Sequence, residues 1–265
     1  MKIVTPAVLR QMKEAGEKIV CLTAYDASFS TLLEDAGVEV VLVGDSLGMV
    51  IQGQTSTLPV TVDAMVYHTT CVSRGIRHAL LIADLPFLSY LTPDRAVDNA
   101  GRLMAAGARM VKLEGGGGLV LEAVRRLGQW GIPVCAHLGL LPQSVHKLGG
   151  YRVQGRDPNQ AAAIFEDAQA LEEAGAELLV LECVPISLGQ QISAALKIPV
   201  IGIGAGVSCD GQVLVLYDML GVATGKRPRF SRDFMPGSNG VREAVVTFVR
   251  EVKAGTFPGS EHSYS

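Results

Sequence analysis

The sequence predicts an α/β fold of one kind, a (β/α)8 TIM barrel, and three observations carry that reading. Several apolar, strand-like runs each end in a polar group able to bind metal or move protons: VVLVGDS at Asp45 and Ser46, ALLIAD at Asp84, RMVKLE at Lys112 and Glu114, VCAH at His137 and LLVLE at Glu182. Fully buried parallel strands read as near-continuous apolar runs, and in α/β barrels the chemistry sits where such strands end. Strand and helix patterns alternate along most of the chain. The length, 265 residues, is about what one such barrel needs, with chain enough to bury a large core.

Taken in order, residues 5–15 read as a short amphipathic helix that closes one end of the barrel. KIVCLTAY (18–25) is a first strand. DAGVEVVLVGD (35–45), AAGARMVKLEG (105–115) and EAGAELLVLEC (173–183) repeat one pattern: an Ala-Gly helix terminus, a short turn and a buried strand with a polar end. Gly37, Gly107 and Gly175 are then the residues just past helix ends, where a positive φ is cheap only for glycine. HALLIAD (78–84) supplies another strand. GIPVCAH (131–137) and KIPVIGIG (197–204) enter their strands through proline, where no ladder donor is lost. VLVLYDMLG (213–221) completes a set of about eight, the number a closed parallel barrel requires.

Helix starts lie between these strands. Thr92-Pro93 is a cap followed by proline at the first helical position, and Asp157-Pro158-Asn159-Gln160 reads as a capping box. Two long insertions, 47–61 and 139–157, follow strands with polar ends, and loops of this length in a compact domain are usually lids or binding loops. Residues 1–265 read as one barrel domain, with a basic turn from Lys226, a helix near 241–252 and a frayed tail.

Composition narrows the partner. A net charge of −3 and a pI near 6.0, with Lys and Arg scattered, carry no basic excess for nucleic acid or an anionic membrane. A small molecule is the expected partner. The N-terminal stretch lacks a secretory core and cleavage site, and no apolar run reaches the ~18 residues of a membrane span, so a cytoplasmic protein is expected. Five cysteines without a CxxC pair read as reduced, mostly structural thiols.

Asp45, Asp84 and Glu114 form a hard oxygen set suited to Mg²⁺, and no histidine or thiol cluster argues for zinc. Taken alone, Asp45 reads equally as a cap for the following segment. Lys112 and Glu114, two residues apart, point to the same side of a strand; the lysine would receive an anionic substrate or else pair with Glu114. Glu182 lies in an apolar run, where desolvation raises a carboxylate toward general-base values; a structural salt bridge is the competing reading. His137 could hydrogen-bond a substrate carboxylate or oxyanion, or be a satisfied core histidine. The glycine runs 115–118 and 202–206 invite a phosphate loop, yet neither matches a full fingerprint, and tight βα turns also need glycine.

These residues sit in motifs that carry a resemblance: LTAYDASFS, VGDSLGMVIQGQTSTLPVT, ADLPF, VKLEGG, AHLGLLPQSV and GIGAG. The chain resembles the ketopantoate hydroxymethyltransferase family, of the phosphoenolpyruvate/pyruvate superfamily of barrels, from about residue 5 to beyond residue 229. The resemblance implies that Asp45 and Asp84 bind Mg²⁺, and through it the substrate, with Glu114 supporting the metal site. It implies Ser46, Lys112 and His137 as substrate contacts and Glu182 as the proton acceptor. It further implies transfer of a hydroxymethyl group from the co-substrate 5,10-methylenetetrahydrofolate to 3-methyl-2-oxobutanoate through a Mg²⁺-stabilised enolate. The product would be 2-dehydropantoate, in the first committed step of pantothenate biosynthesis, and the enzyme a homo-oligomer. A mutase or lyase of the same superfamily, needing no folate, and a non-catalytic barrel that binds an anion are the alternatives.

Overall fold

Eight short strands follow one another around a closed barrel: β1 (Ile19–Thr23), β2 (Val40–Val43), β3 (Leu80–Asp84), β4 (Met110–Glu114), β5 (Val134–Gly139), β6 (Leu178–Glu182), β7 (Val200–Ile203) and β8 (Gly211–Leu214). Every neighbouring pair is parallel, and β8 returns to β1 with Ile19 opposite Gly211 and Leu22 opposite Leu214. This computed structural model describes residues 3–223 and 227–265, so Lys226, the start of the expected basic turn, lies outside the described residues. The strands are buried on both faces, which is why they read as unbroken apolar runs.

The helices are α1 (Pro6–Glu14), α2 (Ala27–Asp35), α3 (Leu47–Val50), α4 (Val62–Ser73), α5 (Pro93–Ala105), α6 (Gly118–Gln129), α7 (Val145–Leu148), α8 (Pro158–Ala174), α9 (Ile186–Ala195), α10 (Leu216–Met219) and α11 (Val241–Lys253). Gly37, Gly107 and Gly175 follow α2, α5 and α8 with φ of 93°, 112° and 106°, as the repeated Ala-Gly pattern predicts. Trp130, the single tryptophan, ends α6 with its ring exposed on the side where strands begin.

At that side α1 closes the barrel. Thr5 caps it by accepting from Val8 N, Pro6 opens it, and Leu9 is fully buried. Lys13 Nζ fixes it in place by donating to the carbonyls of Ser193 and Ile198 and to Asp210 Oδ2, at 2.8–2.9 Å.

Three expectations are corrected. The last strand is Gly211–Leu214 rather than 213–221, because Leu216 N turns aside to donate to Thr23 Oγ1 (2.9 Å) and opens α10. Its first residue presses on β1 so closely that a Cβ there would lie 2.3 Å from Ile19 O. The capping box at α8 is half formed. Asp157 Oδ1 accepts from Asn159 N and Gln160 N, but the Gln160 side chain takes Gly155 N instead of returning to Asp157.

The tail is not frayed. Phe257 packs edge-on against Phe234 and Phe248 with ring centroids 5.4 and 5.6 Å away, and Tyr264 O accepts from Ile186 N, so the last residues return to the side where strands end. Gly204, in one of the two glycine runs, faces this tail: a Cβ there would stand 3.0 Å from the Tyr264 ring. The five cysteines are free.

Candidate active site

Parallel register decides which side chains meet. Asp84 lies opposite Lys112, Glu114 opposite His137, and Gly139 opposite Glu182, so consecutive strands deliver their last polar residues at stepped heights. Lys112 and Glu114, two apart, point to one side. Asp45, Ser46, Asp84, Lys112, Glu114, His137 and Glu182 all line one cavity of about 500 Å³ at the end of the barrel where strands finish. Both insertions reach over its mouth, where Tyr151 OH meets Met49 Sδ at 3.7 Å.

The hydrogen bonds resolve several of the open readings. Asp45 does not cap α3: Ser46 holds the cap position without a side-chain bond, while Asp45 Oδ2 accepts from Gln143 Nε2 at 2.9 Å. Lys112 pairs with Asp84 rather than Glu114, Nζ lying 2.8 Å from Oδ1, and Asp84 Oδ2 accepts from Asp45 N. His137 stands between two carboxylates, Nδ1 3.4 Å from Glu114 Oε1 and Nε2 3.3 Å from Glu182 Oε2. The Ser46 hydroxyl shares a hydrogen bond of 2.8 Å with Tyr25 OH.

Four carboxylates therefore face one ammonium at the inner end of the cavity, where Asp45, Asp84, Lys112, Glu114 and His137 are each at most 5% exposed. Burial, then Asp84 and Glu114, pushes Asp45 well above the carboxylate range. Burial pushes Glu114 up to about 7 against the pull of Lys112. Burial also raises Glu182, with His137 pulling the other way. For Lys112 burial is outweighed by Asp84, Glu114 and Asp45, which hold its charge. Burial and Lys112 hold His137 below the ordinary imidazole range, in its neutral form.

Such a site fits a divalent cation. Asp84 Oδ1 and Glu114 Oε1 are buried with no hydrogen bond among the described residues; the Lys112 contact at Asp84 Oδ1 is close but lacks hydrogen-bond geometry. No three His, Cys, Asp or Glu side chains of the described residues form a ready-made cage. A hard cation does not need one: Mg²⁺ is held by one or two carboxylates together with water and substrate oxygens.

Gln143 is the residue that sequence reasoning missed. Its side-chain nitrogen donates to Asp45 Oδ2 and Leu85 O, its backbone N donates to Glu114 Oε2 at 3.0 Å, and its Oε1 accepts from Tyr90 OH at 2.7 Å. One residue, through its side-chain and backbone amides, thus ties two carboxylates together. Its signal was a proline-started turn, Pro142–Ser144, within an insertion directly after a strand bearing a polar residue. Tyr25, Asp218, Arg229 and Tyr264 were likewise not anticipated; the last three line the outer cavity.

A family model described as ketopantoate hydroxymethyltransferase matches residues 3–260. The 3-methyl-2-oxobutanoate hydroxymethyltransferase of Nitrosococcus oceani is 62% identical over 257 residues, 97% of either chain. That of Methylococcus capsulatus is 60% identical, covering 98% of this chain and 97% of its own. Among solved structures, a phosphoenolpyruvate phosphomutase from Streptomyces platensis superposes with a TM-score of 0.63 at 14% identity, covering 99% of this chain and 92% of its own. A phosphonopyruvate hydrolase bound to oxalate and Mg²⁺ superposes with 0.61 at 13%, covering 97% and 92%. At these identities the structures speak for the barrel fold alone.

Proposed function

The chain belongs to the ketopantoate hydroxymethyltransferase family, and from that premise we propose that it transfers a hydroxymethyl group from 5,10-methylenetetrahydrofolate to 3-methyl-2-oxobutanoate, forming 2-dehydropantoate. The observation that carries the mechanism is the placing of Glu182, a largely buried carboxylate raised by desolvation, on the same cavity as the Asp45, Asp84 and Lys112 cluster.

The keto acid brings a carboxylate into this cavity, and Lys112 and the Ser46 hydroxyl are the fixed donors that receive it. His137, neutral, donates from one nitrogen only, and its position between Glu114 and Glu182 lets it hold the base in line or contact the developing oxyanion. Glu182 takes the C3 proton, and the electron pair left behind moves into the C2–C3 bond, placing charge on the keto oxygen. Mg²⁺, held by Asp45 and Asp84 with Glu114 in support, would supply the positive charge opposite that oxygen. One water opens the donor's methylene bridge, breaking its C–N bonds so that tetrahydrofolate leaves and the carbon stays at the formaldehyde level. C3 of the enolate bonds to that carbon, whose oxygen takes up the proton removed from C3 and becomes the new hydroxyl. With the five inner residues at most 5% exposed, Glu182 is the group that returns a proton to C3, and its own exchange with solvent carries a deuteron there in D₂O.

The same reading makes residues 1–265 one barrel domain of a cytoplasmic homo-oligomer in pantothenate biosynthesis, without nucleic-acid or membrane partners. Net charge of −3 supports the absence of nucleic acid, and no helix among the described residues is long and apolar enough to cross a membrane.

Proton NMR of 3-methyl-2-oxobutanoate in D₂O tests the proposal. Exchange at C3 that needs Mg²⁺, with conversion to 2-dehydropantoate once methylenetetrahydrofolate is added, is expected. Exchange followed by cleavage or rearrangement without folate would replace it with the mutase or lyase reading.

A further inference from the structure

A cavity of about 500 Å³ is of the size that encloses a drug-sized ligand, far more than a five-carbon acid fills. Its inner end holds the carboxylates, Lys112 and Glu182. Its outer end is different in chemistry: Asp218 on α10, the tail residue Tyr264, and Arg152, Arg227 and Arg229 around the mouth.

Asp218 is half-buried, and among the described residues no hydrogen bond or ion pair within 4 Å reaches its carboxylate. Burial pushes it up to about 6 against the pull of Arg227. Tyr264 is held firmly. Its carbonyl accepts from Ile186 N, its ring packs on Gly204, and the Arg229 guanidinium lies over it at 5.4 Å while Arg229 Nε donates to Glu261 O. The tail therefore fixes both an aromatic face and a cation at the rim.

We propose that this outer end seats the one-carbon donor, with Asp218 accepting the paired N–H donors of a pterin-type ring, Tyr264 forming a wall for that ring, and the rim arginines meeting the donor's anionic tail. The inference rests on the folate reading above. A ring N–H beside an exocyclic amine presents two parallel donors, which a carboxylate matches with two oxygens. A flat heteroaromatic ring stacks on a phenol, and glutamyl carboxylates suit guanidinium. The inner cluster, crowded with carboxylates, offers none of these.

Calorimetric titration of tetrahydrofolate into the enzyme holding Mg²⁺ and 3-methyl-2-oxobutanoate tests the seat. Asp218→Asn should weaken tetrahydrofolate about 10- to 100-fold, the loss of a charge-assisted hydrogen-bond pair. Tyr264→Ala should weaken it about 5- to 100-fold, while Tyr264→Phe keeps the ring and stays within about twofold. Asp218→Glu should recover part of the loss. In steady state the KM for the donor should rise with little change in that for the keto acid. Wild-type affinity in both Asp218→Asn and Tyr264→Ala, or equal rises in both KM values, would overturn the seat alone. Wild-type enzyme that neither binds tetrahydrofolate nor transfers from its methylene form would overturn the folate reading and this inference with it.

Discussion

Where the strands begin, Lys13 spends its donors on two carbonyls and Asp210, Glu34 accepts from the backbone N–H of Arg77, His78 and Ala79, and Glu39 accepts from Val20 N and Lys253. Where the strands finish, among the described residues, Asp84 and Glu114 keep buried oxygens without a hydrogen bond, His137 contacts two carboxylates without good geometry, and four carboxylates share the Lys112 ammonium. The same residue types serve one end as fasteners and leave the other unsatisfied. An unsatisfied buried charge costs stability, and a site that keeps several is poised for a ligand that brings the missing partners. Barrels separate the two tasks by end, with chemistry on the loops after the strands and stability on the opposite face.

Substitutions at the unsatisfied end should cost activity and spare the fold. Glu182→Gln is expected to lower C3 exchange by about 10²- to 10⁴-fold, the usual contribution of a positioned base, with Tm unchanged or raised. Wild-type exchange in this variant would remove Glu182 from its role. Asp84→Ala should lose exchange as well, together with the rise in Tm that Mg²⁺ gives the wild type, since a cation that binds only the folded state stabilises it.

At the fastened end the order reverses. Asp210→Ala strands Lys13 together with the Ser193 hydroxyl and Val200 N, and is expected to cost about 3 kcal/mol in denaturant unfolding while kcat stays near wild type. Replacing both charges, with Lys13→Met and Asp210→Leu, should cost less than removing Asp210 alone, because neither partner is left buried and unpaired.

Acid should also tell the ends apart. Glu182 works deprotonated and burial raises it, so kcat/KM should fall on acidification through a value above the ordinary ~4.3 of glutamate. His137→Leu removes a group that pulls Glu182 down, and should move that limb to higher pH. Burial would raise Glu34 too, but its three backbone donors outweigh it and hold it low. The stability it contributes is full above the unfolded value and is lost as pH falls through the lower folded one. Activity should therefore disappear at a higher pH than the fold, and coincident loss would erase the distinction between the ends. The smallest effect is expected from Thr5→Ala, about 1 kcal/mol for a lost cap on α1.

The strand ends were legible because a parallel strand buried on both faces announces itself as an apolar run, and a polar residue closing that run stands out. Asp45, Asp84, Lys112, Glu114, His137 and Glu182 share this setting, which is why they could be named together. Gln143 had no such background: its role comes from a turn that carries its amide back over β2 and β3, and no periodicity encodes that path. Tyr264 was hidden for a similar reason, because its docking depends on the Phe234, Phe248 and Phe257 cluster and on Gly204, contacts between positions far apart in the chain. The last strand was misjudged because Gln212 interrupts its apolar run and the more apolar stretch after it turns into α10.

The position of Trp130 has an optical consequence. It is the sole indole, it is exposed, and it sits at the end of the barrel away from the cavity. Its emission should be that of a water-exposed fluorophore in the native state, and occupation of the mouth should leave it dark to the event. Tyr264→Trp in a Trp130→Phe background would move the only emitter to the rim, where a pterin ring absorbing in the near ultraviolet would quench it by energy transfer, turning donor arrival into a fluorescence signal.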